Sequence, residues 1–150
     1  MALLYFEDLA PGQVYDLGSV TVDEPEMLAF SQRFDPQPFH TDPHAARETP
    51  FGGIIASGWF TCALFMRMYV DAILAHADSH GSPGCEELRW LAPVRAGDVL
   101  YGCLTVLDMW PSSTRPERGT AYLAGELLRD EETVLSMRVR GLFGRRAPVF

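Results

Sequence analysis

Within the run Phe34-Asp35-Pro36-Gln37-Pro38-Phe39-His40, a carboxylate and an imidazole stand five positions apart on a segment that carries two prolines. Such a pair can take a proton from water and deliver one to carbon, which is what adding water to a double bond, or removing it, requires. Histidine can do either job near neutral pH. Pro36 and Pro38 forbid a regular helix through the run and bias Asp35 and Gln37 towards extended backbone. Five extended steps of ~3.1 Å would part the two residues by ~15 Å, whereas two groups bonded to one water must lie within about 5 to 6 Å of each other. If the two share a water, the segment must turn. Spacing alone also fits an Asp that ends the preceding helix and a His that packs or caps.

The elements that would hold this pair can be read from the flanking patterns. Gln13 to Val22 alternates loosely with β-branched and aromatic residues, the pattern of a first strand. Asp23 is placed to cap a helix, Glu26 completes a capping-box pattern, and Met27, Phe30, Ser31 and Phe34 fall on one face. Asp35 to Gly53, with four prolines and the Gly52-Gly53 pair, reads as a structured loop with room for one helical turn at Pro43 to Arg47. Residues 54 to about 77 are apolar nearly all round, as in a buried helix. Four further strands are expected over Cys85–Leu91, Val99–Trp110, Thr120–Leu128 and Thr133–Phe143. This order predicts a single α+β domain over residues 1–150, an antiparallel sheet wrapped around a central buried helix.

Composition narrows the chemistry. The 150 residues carry a net charge of -8, which disfavours nucleic acid as a partner. All 12 basic residues are arginine, so Schiff-base, pyridoxal phosphate and Walker-A chemistries, which need a lysine amine, are set aside. Arginine forks suit phosphate or carboxylate, so an anionic ligand stays open. Three scattered cysteines, Cys62, Cys85 and Cys103, suggest core thiols rather than disulfides or a zinc site. No basic and apolar leader opens the chain, and the longest apolar stretch is short for a membrane span, so a cytoplasmic protein without a membrane partner is expected. His40 and His44 lie across Pro43, and His76 and His80 flank a helix end, so no metal site is expected. Trp59, Phe60, Phe65, Met66 and Tyr69 are candidates for an acyl pocket, although their helical spacing points first to core packing.

Three passages together carry a resemblance: Phe34-Asp-Pro-Gln-Pro-Phe-His40-Thr-Asp42, Gly52-Gly53-Ile-Ile-Ala-Ser57-Gly58-Trp59, and Leu88-Arg-Trp-Leu-Ala-Pro93-Val94-Arg95-Ala-Gly97-Asp98. From about Phe6 to Phe143 the chain resembles the MaoC-type dehydratase family, which includes R-specific enoyl-CoA hydratases. The resemblance implies a hot-dog fold, a homodimer or higher homo-oligomer with active sites at the interface, and a hydratase or dehydratase acting at the 2,3 double bond of an acyl thioester. It implies Asp35 and His40 as the catalytic pair and the Gly58 N–H as the donor that meets the thioester oxygen, where the helix dipole assists. No cofactor is implied; an acyl-CoA or acyl-carrier thioester is the substrate.

The sequence departs from the family pattern at Phe34, where Gly is common, at Gln37, where Asn is common, and at Ser57, where His is frequent. Gln37 and Ser57 are candidates to support the loop, and the departures leave the acyl group open. Arg89 and Arg95, with Arg145 and Arg146, are candidates for CoA phosphate contacts. Two other readings of the same scaffold are an acyl-CoA thioesterase and a non-catalytic module that binds acyl thioesters.

Overall fold

The structure, a computed structural model, describes residues 2–146. Strand β1 (Val14–Thr21) is followed by helix α1 (Glu24–Phe34), which begins where the Asp23 carboxylate accepts the Glu26 N–H at 3.1 Å. Two short helices, α2 (Pro38–Thr41) and α3 (Pro43–Arg47), lead to the long helix α4 (Gly58–Ala72). Strands β2 (Gly84–Trp90), β3 (Val99–Pro111), β4 (Arg118–Arg129) and β5 (Glu132–Gly144) complete the chain. The sheet order is β1-β3-β4-β5-β2, with every pairing antiparallel. This is a hot-dog fold of the α+β class, with the sheet curled around α4.

Alternation along the strands builds the concave face. Leu100, Leu104, Leu123, Leu127 and Leu135 are almost fully buried and meet Leu64, Phe65 and Met68 of α4. Burying each such side chain contributes about 1.5–3 kcal/mol relative to exposure. Gly125 lets the helix settle close, because a Cβ there would overlap the Phe65 ring.

The structure differs from the sequence-based expectation in four places. The helix expected from residue 54 starts at Gly58, and the segment before it is held extended by a bond from Ala56 N–H to Val94 O at 2.7 Å. That helix is not wholly buried: the sheet covers one side only, leaving Trp59 57% and Met66 47% exposed and Arg67 paired with Asp71 on the open face. The helical run Gly58–His76 is long and apolar enough, by length and composition, to cross a membrane, yet its Leu64, Phe65, Met68 and Tyr69 are buried among the sheet's core residues. Helix α2 falls in the expected loop, because Pro38 occupies a first-turn position where a missing N–H costs nothing. Phe34 is 62% exposed: the chain breaks from the helix at the next residue, and its ring rests on Phe30 and beneath the Arg33 guanidinium.

Candidate functional site

Asp35 is the residue at which α1 ends, its N–H donating to Ser31 O at 2.9 Å. Gln37 is extended, and its N–H donates back to Asp35 O at 2.8 Å, so the chain reverses before α2 begins. His40, in the third position of α2, is thereby swung round until its Nε2 lies 3.3 Å from Asp35 Oδ2. The turn that a shared water requires is present, made by Pro36 and Pro38 at its two corners.

The ring of His40 is buried, and its Nδ1 lies 2.8 Å from the carbonyl oxygen of Ile55. A carbonyl oxygen only accepts, so Nδ1 carries the hydrogen and, in the neutral ring, Nε2 is left as the base. An ionised Asp35 Oδ2 is also an acceptor. Two acceptors facing each other at this distance are satisfied together by a molecule with two O–H donors, and water is the smallest such molecule.

The Ile55 carbonyl is positioned from across the fold. Gly97, at φ +86, lets the 93–98 turn close, and Asp98 Oδ2 accepts Arg95 N–H at 2.9 Å and the Arg129 guanidinium at 2.7 Å. Val94 O in that turn holds Ala56 N–H, one residue beyond Ile55. Strand β4 thus reaches the imidazole through Arg129, Asp98, Val94 and the extended segment.

Three donors or charges act on Asp35. Burial pushes its carboxyl pKa up, but the Gln37 amide on Oδ1 at 2.7 Å, the Ser57 hydroxyl on Oδ2 at 2.7 Å and the nearby His40 together outweigh that and hold it below the usual carboxylate range. Ser57 has a second task as N-cap of α4, its Oγ accepting the Trp59 N–H at 3.3 Å. The sequence-predicted supports Gln37 and Ser57 are therefore both in contact with Asp35.

Gly58 opens α4, so its N–H is one of the helix's free first-turn donors, at the positive end of the dipole. The indole of Trp90 lies against its Cα, with Trp90 Nε1–H donating to Gly58 O at 2.9 Å, and any Cβ at position 58 would overlap the indole ring. Trp90 is an essential neighbour that the strand pattern did not single out; its sequence signal is a large aromatic at a strand end, which reads as edge packing.

Asp35, Gln37, His40, Gly58 and Trp90 line one cleft of about 430 Å³. Trp59 stands in its wall and also in the wall of a second cavity of about 450 Å³ alongside α4, lined by Phe65, Met66, Tyr69, Leu88 and Met137 among others. Phe60, grouped with these residues by sequence, instead packs in the core against Phe30.

The arginines lie elsewhere. Arg89 is exposed on β2 and does not line the cleft. Arg95 donates to Phe51 O at 2.6 Å and lines a separate recess with Arg47. Arg145 and Arg146 pair with Glu7 and Asp8. His80 pairs with Asp78, and among the described residues no group of three or more His, Cys, Asp or Glu is placed to hold a metal ion.

This geometry belongs with a family. The MaoC like domain matches residues 7–123, and the chain belongs to that family. A solved MaoC-like dehydratase from Rhodospirillum rubrum superposes with a TM-score of 0.88 at 39% identity, covering 96% of this chain and 99% of that one. An (R)-specific enoyl-CoA hydratase of Rhodospirillum rubrum is 28% identical over 147 residues, which are 94% of this chain and 96% of its own. A Mycobacterium tuberculosis protein with a double hot-dog fold superposes with a TM-score of 0.78 at 21% identity, covering 99% of this chain and 46% of that one.

Proposed function

We propose that the protein is a hydro-lyase that adds water to, or removes it from, the 2,3 double bond of an acyl thioester. The observation that carries this reading is the facing pair of acceptors, His40 Nε2 and Asp35 Oδ2, beside the Gly58 N–H. The family and the hydratase and dehydratase names of its relatives agree with it.

In the hydration direction, water donates one O–H to His40 Nε2 and the other to Asp35 Oδ2. As the water oxygen bonds to C3, its proton passes to His40, and the C2=C3 electron pair moves onto the thioester oxygen as an enolate. The Gly58 N–H and the dipole of α4 meet that oxygen where charge develops. The enolate then collapses, C2 takes the proton held by the pair, and the C3 hydroxyl remains. Dehydration is the same path reversed. Asp35, ionised because its donors depress its pKa, orients the water and stabilises the imidazolium. Every group used belongs to the chain, and a CoA or carrier-protein thioester is the substrate.

The acyl group, on this reading, leaves the cleft past Trp59 into the apolar cavity beside α4. Monitoring the loss of the enoyl-thioester absorbance across a panel of 2-enoyl-CoA esters tests the assignment. Hydration is expected, with no free thiol released; thiol release without hydration would replace it with a thioesterase.

We also infer a homodimer. Strand β2 is one of the sheet's two outer strands, pairing with β5 on one side, and six of its seven residues are exposed, with Trp90 and Leu91 at its end flanking the cleft. A second copy adding there would extend the sheet and cover the cleft mouth. The relative that this chain covers to 46% has a double hot-dog fold. Sedimentation at micromolar concentration is expected to give twice the chain mass of 16.7 kDa.

A further inference from the structure

The second cavity is lined by a phenol that the fold does not use. Tyr69 is buried at 3% exposure, and its ring packs on Phe65. Burial alone acts on its phenol, pushing the pKa up, and among the described residues no protein group makes a hydrogen bond to its oxygen. Among the described residues the sealed side-chain oxygen without a partner is Ser31 Oγ; the Tyr69 oxygen instead opens onto the cavity, free to bond whatever enters it.

A methyl group at Gly141 would stand 3.3 Å from the Tyr69 oxygen and 2.7 Å from the Phe143 ring. Glycine at that position in β5 lets the Tyr69 and Phe143 side chains pack against the strand, which fixes where the hydroxyl stands. Tyr69 and Gly141 both line the cavity, and so does Ser79, so oxygen-bearing groups stand in an otherwise apolar wall. Trp59 stands in the wall of both this cavity and the cleft. Tyr69 lies about three turns along α4 from Gly58, roughly 16 Å of helix rise, and helical side chains lean back towards the N-terminus. Its oxygen therefore addresses the distal part of an acyl group, well beyond C3.

We propose that Tyr69 is a specificity-determining residue whose hydroxyl hydrogen-bonds an oxygen function, a hydroxyl or carbonyl, on the distal part of the acyl chain. The proposal rests on the acyl group occupying this cavity, as in the function proposed above. The substrate class it names is an oxygenated acyl thioester rather than a plain alkyl one.

Titration calorimetry with saturated CoA esters separates this proposal from turnover. The probes are decanoyl-CoA and a series of hydroxydecanoyl-CoA esters in which the hydroxyl is moved along the distal half of the chain. At least one hydroxylated ester is expected to bind roughly five- to tenfold more tightly than decanoyl-CoA, the scale of one hydrogen bond. Tyr69→Phe should return that ratio to about one while leaving Tm unchanged, since the hydroxyl bonds no protein group among the described residues. A flat series in the wild type, or a preference that survives Tyr69→Phe, overturns the proposal. So does a fall in Tm on that substitution without a change in the ratio, which would make the hydroxyl structural.

The matching trans-2-enoyl esters provide the second arm. Hydration with no preference for oxygenated chains sinks the role of Tyr69 and leaves the hydro-lyase standing. A Tyr69-dependent binding preference without hydration does the reverse. Failure of every ester to bind removes both.

Discussion

At the head of α4 the polar side chains are tied to neighbours: Asp35 has Gln37 and Ser57, His40 has Ile55 O, and the two lie 3.3 Å apart, close enough to bind one water together. Along the flank of the same helix the wall is mostly carbon, and the Tyr69 hydroxyl opens onto it without a partner among the described residues. The first region sets the Asp35–His40 turn against the backbone and side chains of Ile55, Ser57 and Gly58, the second is made of side chains brought together from α4, β2 and β5. A site that moves protons needs fixed distances, and hydrogen bonds between backbone and side chain supply them. A site that receives an acyl chain needs shape, which only the tertiary assembly can give.

The comparison can be broken most directly at the head. Asp35→Asn or His40→Ala is expected to lower kcat for hydration by on the order of 10²–10⁴-fold, while calorimetry shows saturated acyl-CoA still binding. Equal loss of binding would mean the two regions are not separable. Gly58→Ala is next: its methyl group must displace the Trp90 indole, which costs about 1–3 kcal/mol and should lower Tm by several degrees along with kcat. Unchanged Tm and kcat would show that the indole swings aside freely.

Trp59→Ala removes the wall common to both cavities. A few-fold shift of kcat/KM towards longer or branched enoyl-CoA esters is expected, with kcat for a short ester preserved; a uniform loss for all esters would place Trp59 in the catalytic region. The smallest effect is in pH. Asp35 has a depressed pKa, so its ionised form, and the stability that it contributes, is present above the ordinary carboxylate value and is lost as pH falls through the lowered one. Gln37→Ala removes one of the donors responsible, so the acid limb of kcat/KM should move to higher pH, with the plateau little altered. A limb that stays in place would assign it to another group.

Legibility in the sequence followed the same division. Strand patterning places β1 to β5 within one to two residues, because turn residues mark their ends and all but β2 have one face on the core. The bend between Asp35 and His40 is expected only from their sharing one water, since the prolines by themselves favour extended backbone, and the short helix inside it leaves no signal because four residues carry no period. The Ile55 carbonyl left no trace in the sequence, because a backbone oxygen has no residue type. Tyr69 and Met66 looked like core at helical spacing, and whether such a residue meets solid packing or a cavity depends on β5, where Gly141 lies more than seventy residues away in sequence. Periodicity puts Phe34 on one face of α1 with Met27 and Phe30, and it does not register that the helix stops there and leaves the ring exposed.

The T-shaped contact of Trp59 and Trp90, with ring centroids 5.0 Å apart, has an optical consequence. These are two of the three tryptophans in the chain, both at the cleft, while Trp110 sits on β3 near the Arg140 guanidinium. An acyl thioester entering the cleft changes the polarity around two indoles and leaves the third as a constant background. The protein thus carries its own fluorophore for occupancy, and emission can follow ligand entry in real time without a label.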